Sequence, residues 1–372
     1  MARVPIVSQL NIVKLAETHG GPLHYLGNRF LTLPDKSGHM RADNSWLNEL
    51  LSIIKYNNHG KKYRKAIEPF AGSASWSLAA MEVGLAEEYV INDSNKILMN
   101  TLYLIKENPQ LIKTAYISLI QEYEAAESKK DFFLGTIEHY NQTQDDEEKS
   151  VLLPFIINHS WSGIIFYNID GEILYFEAPL FEGKRTPRYL TEANLSISMF
   201  LDEVDRISIL LNANKVVFKS GDFLQVVADI QLGDFIALNP PYPENERSLT
   251  EKTSMYTELY APEKLHENIV NLIQYMEKEK IHYYMTYGFY NPEMSKFVLL
   301  DEAKNPRNYF RILGYDDCAF GIGLDQMYFS STISIPDDFN MQIIKAAEVL
   351  EGKKPTPQEA LTNFNRTSAI SK

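Results

Sequence analysis

A chain of 372 residues, 45% of them hydrophobic, can bury a large core in one elaborate domain or two. The single cysteine, Cys318, excludes a disulfide framework and a cysteine-built zinc site. A net charge of −13 argues against a generally basic nucleic-acid binder, but eight Lys/Arg against three Asp/Glu between Gly21 and Lys65 leave a local balance of +5.

Met1 to Gly20 hold one weakly amphipathic stretch and no assigned role. Tyr25-Leu26-Gly27-Asn28-Arg29 places an aromatic, a glycine turn and a cation together, a set suited to gripping a flat, anionic ligand. Lys65 to Phe70 reads as a strand, Ala71 to Ser75 as a small-residue turn, and Trp76 to Val83 as a helix. Strand, small-residue turn and helix let a ligand approach the backbone and the helix N-terminus. The next strand, Glu88 to Ile91, ends in Asn92-Asp93, with Asp93 near the ~20-residue offset at which an acid holds ribose hydroxyls. The turn has neither a G-x-G-x-x-G fingerprint nor a phosphate-binding lysine, so a nucleoside without pyrophosphate, such as S-adenosylmethionine, fits better.

Ser94 to Glu107 reads as a helix, followed by a polar helical region to Lys149 and the apolar run Val151 to Ile157. Nine acids against three bases between Gln121 and Lys149 concentrate negative charge there. A β-hairpin is expected near 164–176, turning at Asp170-Gly171, with Tyr167 and Asn168 before the turn and Lys184, Arg185 and Arg188 beyond it. Such a hairpin has the shape to enter a DNA groove. Leu195 to Leu211 is a helix with Ile197, Phe200, Leu201, Val204, Ile207 and Leu211 on one face. A strand at Val216 to Phe218 leads into Gly221-Asp222-Phe223.

The buried strand Asp234 to Leu238 ends in Asn239-Pro240-Pro241-Tyr242. Two prolines hold a fixed turn without N–H groups. The turn therefore presents the Asn239 side-chain oxygen and the Pro240 carbonyl together, beside an aromatic face. Two acceptors and a ring suit a flat, amino-bearing group such as adenine. Pro243 to Ser254 is polar and expected to be mobile, Pro262 starts a helix with Leu265, Ile269, Leu272 and Met276 on one face, and late strands are expected at Tyr283 to Thr286 and Gln326 to Phe329. The tail from Gly352 has too little apolar content to pack. No apolar run reaches ~18 residues, no signal pattern opens the chain, and eight histidines lack metal-ligand spacing. A cytoplasmic protein with no metal is expected.

Tyr25 to Arg29, Glu68 to Gly72, Asn92-Asp93 with Asn95, Ser162 through Glu172, and Asn239 to Tyr242, in that order, resemble the Dam-type, or alpha-group, DNA adenine methyltransferases. The resemblance runs from about Tyr25 to Ser330. It implies an α/β fold: a Rossmann-like sheet of seven mostly parallel strands, helices on both faces, and an inserted DNA target-recognition region. It divides the chain into a catalytic domain (21–108 and 214–335), a recognition region (109–213) and a C-terminal extension (336–372), partly disordered. Asn239, Pro240, Pro241 and Tyr242 would be catalytic, with Tyr242 stacking on a flipped-out base. Tyr25, Arg29, Glu68, Pro69, Phe70, Gly72, Asp93, Asp222 and Asn239 would contact S-adenosylmethionine. Tyr167, Asn168, Asp170, Lys184, Arg185 and Arg188 would contact double-stranded DNA. A monomer is implied, with any cognate restriction endonuclease acting on the same site outside a stable complex. A silent DNA-binding subunit and an RNA adenine methyltransferase are the alternatives.

Four positions depart from the family pattern. Arg29 stands where lysine is usual, Ala74 where a second glycine is common, and Asn239 where aspartate is more frequent. Asp170 replaces a usual cation in the recognition hairpin, which points to a target other than GATC.

Overall fold

The computed structural model describes residues 32–34, 40–42, 45–160, 165–168, 170–174, 196–241, 253–254, 262–289, 308–313, 323–334 and 343–345. Two short strands, β1 (Thr32–Pro34) and β2 (Met40–Ala42), pair antiparallel ahead of α1 (Ser45–Asn57). Next come β3 (Tyr63–Glu68), α2 (Ser75–Glu82), β4 (Ala86–Asp93) and α3 (Lys96–Glu107). The polar helical region is three helices, α4 (Pro109–Ala125), α5 (Lys129–Gln142) and α6 (Asp146–His159). Each starts where the sequence supplies an N-cap: Asn108, Ser128 and Asp145 accept from first-turn amides.

The hairpin forms as β5 (Phe166–Asn168) and β6 (Ile173–Leu174), antiparallel. Then follow α7 (Ile197–Ala213), β7 (Val216–Ser220), α8 (Phe223–Val227), β8 (Phe235–Leu238) and β9 (Thr253–Ser254). The last elements are α9 (Pro262–Glu279), β10 (His282–Phe289), β11 (Asn308–Leu313), β12 (Gly323–Phe329) and β13 (Ile343–Lys345).

The main sheet runs β13-β11-β12-β10-β8-β3-β4-β7. Five of its strands, β10, β8, β3, β4 and β7, are parallel to one another. The remaining three join antiparallel at one edge. The expectation of seven strands is thus corrected to five parallel ones plus an antiparallel edge. The edge strand β13 was not among the strands expected from the sequence.

Side chains alternate across the sheet, as a strand's two-residue period requires. Ala66, Phe235, Ala237 and Tyr284 face one apolar cluster, which α1, α2, α3 and α7 complete. Ile67, Ile236, Leu238, Tyr283 and Met285 face another, covered by α8 and α9. Helices therefore lie on both faces. In α7, Phe200, Val204, Ile207 and Leu211 are buried as their spacing requires, while Ile197 in the first turn is exposed. In α9 the expected face, Leu265, Ile269, Leu272 and Met276, is buried throughout.

Helices α4, α5 and α6 contribute Ile112, Tyr116, Phe133 and Phe155 to the same cluster as α2 and α3. The inserted helices therefore have no apolar core of their own. Pro243 to Ser254 departs from the expectation of a mobile stretch at its end, where β9 pairs antiparallel with β5 through Tyr167↔Ser254 and Asn168↔Thr253. Backbone pairing made this contact, and a two-residue polar strand carries no apolar alternation to reveal it.

Candidate active site

Chain order and spatial order diverge at the centre of the sheet. From β3 the chain moves outward through β4 and β7, then returns to place β8 on the other side of β3. In an open α/β sheet, the crevice at that reversal, beyond the strands' carboxyl ends, is where ligands bind. Ile67 pairs with Ile236 across β3 and β8, so the loop after Glu68 and the turn after Leu238 leave the sheet nearly level. The two most specific stretches of the sequence flank one crevice.

On the β3 side, Gly72 has φ 51 and its N–H donates to Asp93 Oδ2 at 2.8 Å. The other Asp93 oxygen accepts from the Asn95 N–H at 2.9 Å. Asp93 therefore shapes the loop as well as facing the crevice. Ala74 holds φ 58 and ψ 25 as the N-cap of α2 and has no side-chain oxygen for the helix amides. Glu68 supplies one instead, accepting from the Ser77 N–H at 3.1 Å. Glu68 is 3% exposed. Burial pushes its carboxyl up to about 8, with the Asp93 charge adding to the rise and the Ser77 bonds opposing it.

Asn92 was not among the sequence-derived site residues, yet it joins three loops. Its Nδ2 donates to Pro69 O at 2.9 Å and to Gly221 O at 3.0 Å. Its backbone carbonyl accepts from the Ala71 N–H at 2.8 Å. Asp222 caps α8 through Leu224 N–H at 2.9 Å, and the Phe70 and Phe223 rings meet with centroids 4.8 Å apart. Pro69, Phe70, Gly72, Asp93 and Asp222 thus cluster at the carboxyl ends of β3, β4 and β7, while the Glu68 carboxyl is buried and bonded to the first turn of α2. Pro240 is buried, Asn239 and Pro241 are half-buried, and Asn239 Oδ1 accepts from the Thr286 hydroxyl at 2.8 Å. Thr286, on β10, also escaped the sequence reading, because a threonine in an apolar strand looks like an ordinary strand former.

The hairpin sorts its three expected DNA contacts by exposure. Tyr167 is 1% exposed, and its hydroxyl accepts from Asn95 Nδ2 at 3.3 Å. Asn168 is committed to the turn: its Oδ1 accepts from the Asp170 and Glu172 N–H groups at 2.9 Å each, and its Nδ2 donates to Glu172 at 2.7 Å. Gly171, at φ 78, provides the left-handed residue the turn requires. In this arrangement Tyr167 and Asn168 support the hairpin, and Asp170 stands exposed at its tip. Asn141 of α5 holds β6 from behind, exchanging two bonds with the Ile173 backbone at 2.9 and 3.0 Å. Tyr25, Arg29, Tyr242, Lys184, Arg185 and Arg188 lie outside the described residues.

The fold and its crevice define a Rossmann-like α/β domain with an Asn-Pro-Pro turn at the switch point. The chain belongs to the D12 class N6 adenine-specific DNA methyltransferase family, whose model matches residues 44–304. It is similar to a type II methyltransferase, M1.LlaDCHI, from Lactococcus lactis subsp. cremoris, with 27% identity over 54% of this chain and 64% of the relative. A DNA adenine methylase from Vibrio cholerae is 26% identical over 54% of this chain and 65% of its own length. The chain thus spans just under two thirds of the length of these curated relatives. A solved rRNA methyltransferase, aviRa from Streptomyces viridochromogenes, aligns over 76% of this chain and 86% of its own at 9% identity, with a TM-score of 0.27 that carries no inference. Among the described residues, no helix is long and apolar enough to cross a membrane.

Proposed function

We propose that this chain transfers a methyl group from S-adenosylmethionine to the exocyclic 6-amino group of adenine at a specific site in double-stranded DNA. One observation carries the reading: in a chain of this family, the Asn239-Pro240 turn stands at the switch point, level with the Glu68 to Gly72 loop. Asp93 and Asp222 put carboxylates at the crevice, and no lysine stands in the β3 turn. That donor set fits a cationic nucleoside with free ribose hydroxyls and disfavours a pyrophosphate. When bound, the cofactor supplies an electrophilic methyl carbon.

The chain's own residues do the rest by orientation and electrostatics. Asp93 holds ribose hydroxyls, and Gly72 permits close approach. Tyr25, Arg29, Glu68, Pro69, Phe70 and Asp222 complete the cofactor's surroundings. Asn239 and Pro240 accept the two amine hydrogens, which keeps the nitrogen lone pair localised and aimed at the methyl carbon. Asn239 is no base, so the proton released from the methylated amine leaves to water. Tyr242 stacks on the extruded base, a contact worth roughly 1–3 kcal/mol. Residues 109–213 read the target, with Asp170 at the hairpin tip and Lys184, Arg185 and Arg188 on phosphates. Asp170 accepts where a cation would donate to guanine, so the target is a sequence other than GATC. The protein acts as a cytoplasmic monomer in restriction–modification or in phage or host DNA modification.

Labelled cofactor offered with mixed DNA and RNA tests the reading. Methyl transfer to adenine in DNA is expected, and Asn239→Ala should abolish it while cofactor binding stays largely intact. Full activity of that variant, or transfer to RNA alone, would sink the assignment.

A further inference from the structure

We infer that Thr286 is the positioning residue that makes an asparagine workable at the catalytic turn, an inference that rests on the function proposed above. Met285 pairs with Leu238 across β10 and β8, so Thr286 stands level with Asn239 at the sheet's carboxyl edge. Thr286 is 3% exposed, and its hydroxyl meets Asn239 Oδ1 at 2.8 Å. The bond is near the ideal length for an O–H donor.

The need for it follows from the chemistry of an amide. A carboxylate at this position presents two equivalent acceptors, and either serves the adenine amine. An asparagine presents one acceptor and one double donor. If the NH2 end turns toward the target amine, donors face donors, and nothing holds the nitrogen lone pair in place. In the observed orientation the Thr286 hydroxyl donates to one lone pair of Oδ1 and holds the Asn239 side chain with its oxygen at the sheet's carboxyl edge. The second lone pair of the same oxygen remains for the amine. Thr286 touches neither cofactor nor base; it acts through Asn239.

A double-mutant cycle on the full chain isolates this role. Thr286→Val keeps the β-branched shape of a buried strand residue and removes only the hydroxyl. It should lower kcat about tenfold or more, with cofactor KM unchanged within about threefold. Thr286→Ser, which keeps the donor, should restore kcat to within about threefold of the parent. In the N239D background either oxygen can serve, so T286V should cost less than about threefold. Circular dichroism of each variant separates misfolding from a local effect. Equal kcat for T286V and the parent, or the same fold loss in both backgrounds, would overturn the role of Thr286 while leaving the methyltransferase reading intact. Absence of any DNA adenine methylation by the parent chain would overturn both.

Discussion

At Glu68 a carboxyl group sits where water cannot reach it and a helix amide can. The folded state holds its proton up to about 8, against an ordinary carboxylate value of 4.5. A raised carboxyl pKa means that the folded chain binds the proton more tightly than the unfolded chain does. The resulting stability is fully present below about pH 4.5 and is lost as pH rises toward 8. Glu68→Gln keeps an acceptor for the Ser77 N–H and cannot ionise, so it should flatten that decline. The difference is on the order of a few kcal/mol by linkage. Chemical denaturation of both proteins at several values between pH 5 and 8 measures it, and parallel pH profiles would contradict it. Ala74 poses a second single-residue question. Its left-handed backbone costs an alanine about 1 kcal/mol relative to glycine. Its buried methyl returns about 0.8 kcal/mol through burial. Ala74→Gly should therefore leave stability within about 1 kcal/mol of the parent. A loss above about 2 kcal/mol in urea unfolding would mean that the methyl packs more tightly than this balance allows.

At the scale of elements, the sequence announced many of the segments that bury an apolar face, though not α1, whose Leu47, Leu50, Leu51, Ile53 and Ile54 are buried. Ile236 sits in a run hydrophobic enough to read as a buried strand, and Leu265 to Met276 repeats with a helical period. Polar side chains that tie loops together had no comparable signature. Asn92 reads as the end of a strand, and only the fold shows that it bonds Pro69 and Gly221 at once. Tyr167 looked like an aromatic ready for a groove, yet the insertion's helices and Asn95 enclose it. Asp170 is the hairpin-tip residue proposed for recognition, since Asn168 is spent on the turn. Asp170→Arg adds a cation at an exposed tip and should leave folding unchanged. It should instead alter which sequences are methylated, by the ~1–3 kcal/mol that a good base contact discriminates. Methylation-sensitive sequencing of DNA from cells expressing each protein reads this out. An unchanged site preference, or methylation by the parent confined to GATC, would refute the role given to Asp170.

At the scale of the whole molecule, the proposed function requires a chain of net charge −13 to approach a polyanion. Part of the insertion's acidity is paired, Glu124 with Lys129 inside it and Asp146 with Lys96 of α3. Affinity must then come from a few local phosphate contacts, not from a broad positive field. Lys184, Arg185 and Arg188 are the cations proposed for them. Each phosphate contact releases counterions and steepens the fall of log K with log salt by about 0.9. Replacing the three together with glutamine should flatten that slope by up to about three contacts' worth. It should weaken cognate and non-cognate duplexes alike, since phosphate contacts carry no sequence information. Asp170→Arg should do the opposite, shifting the ratio between duplexes more than the slope. Fluorescence anisotropy of both duplexes between about 50 and 200 mM salt separates the two patterns. An unchanged slope in the triple variant would remove these three residues from the backbone contacts, and a changed cognate ratio would make them readers of sequence.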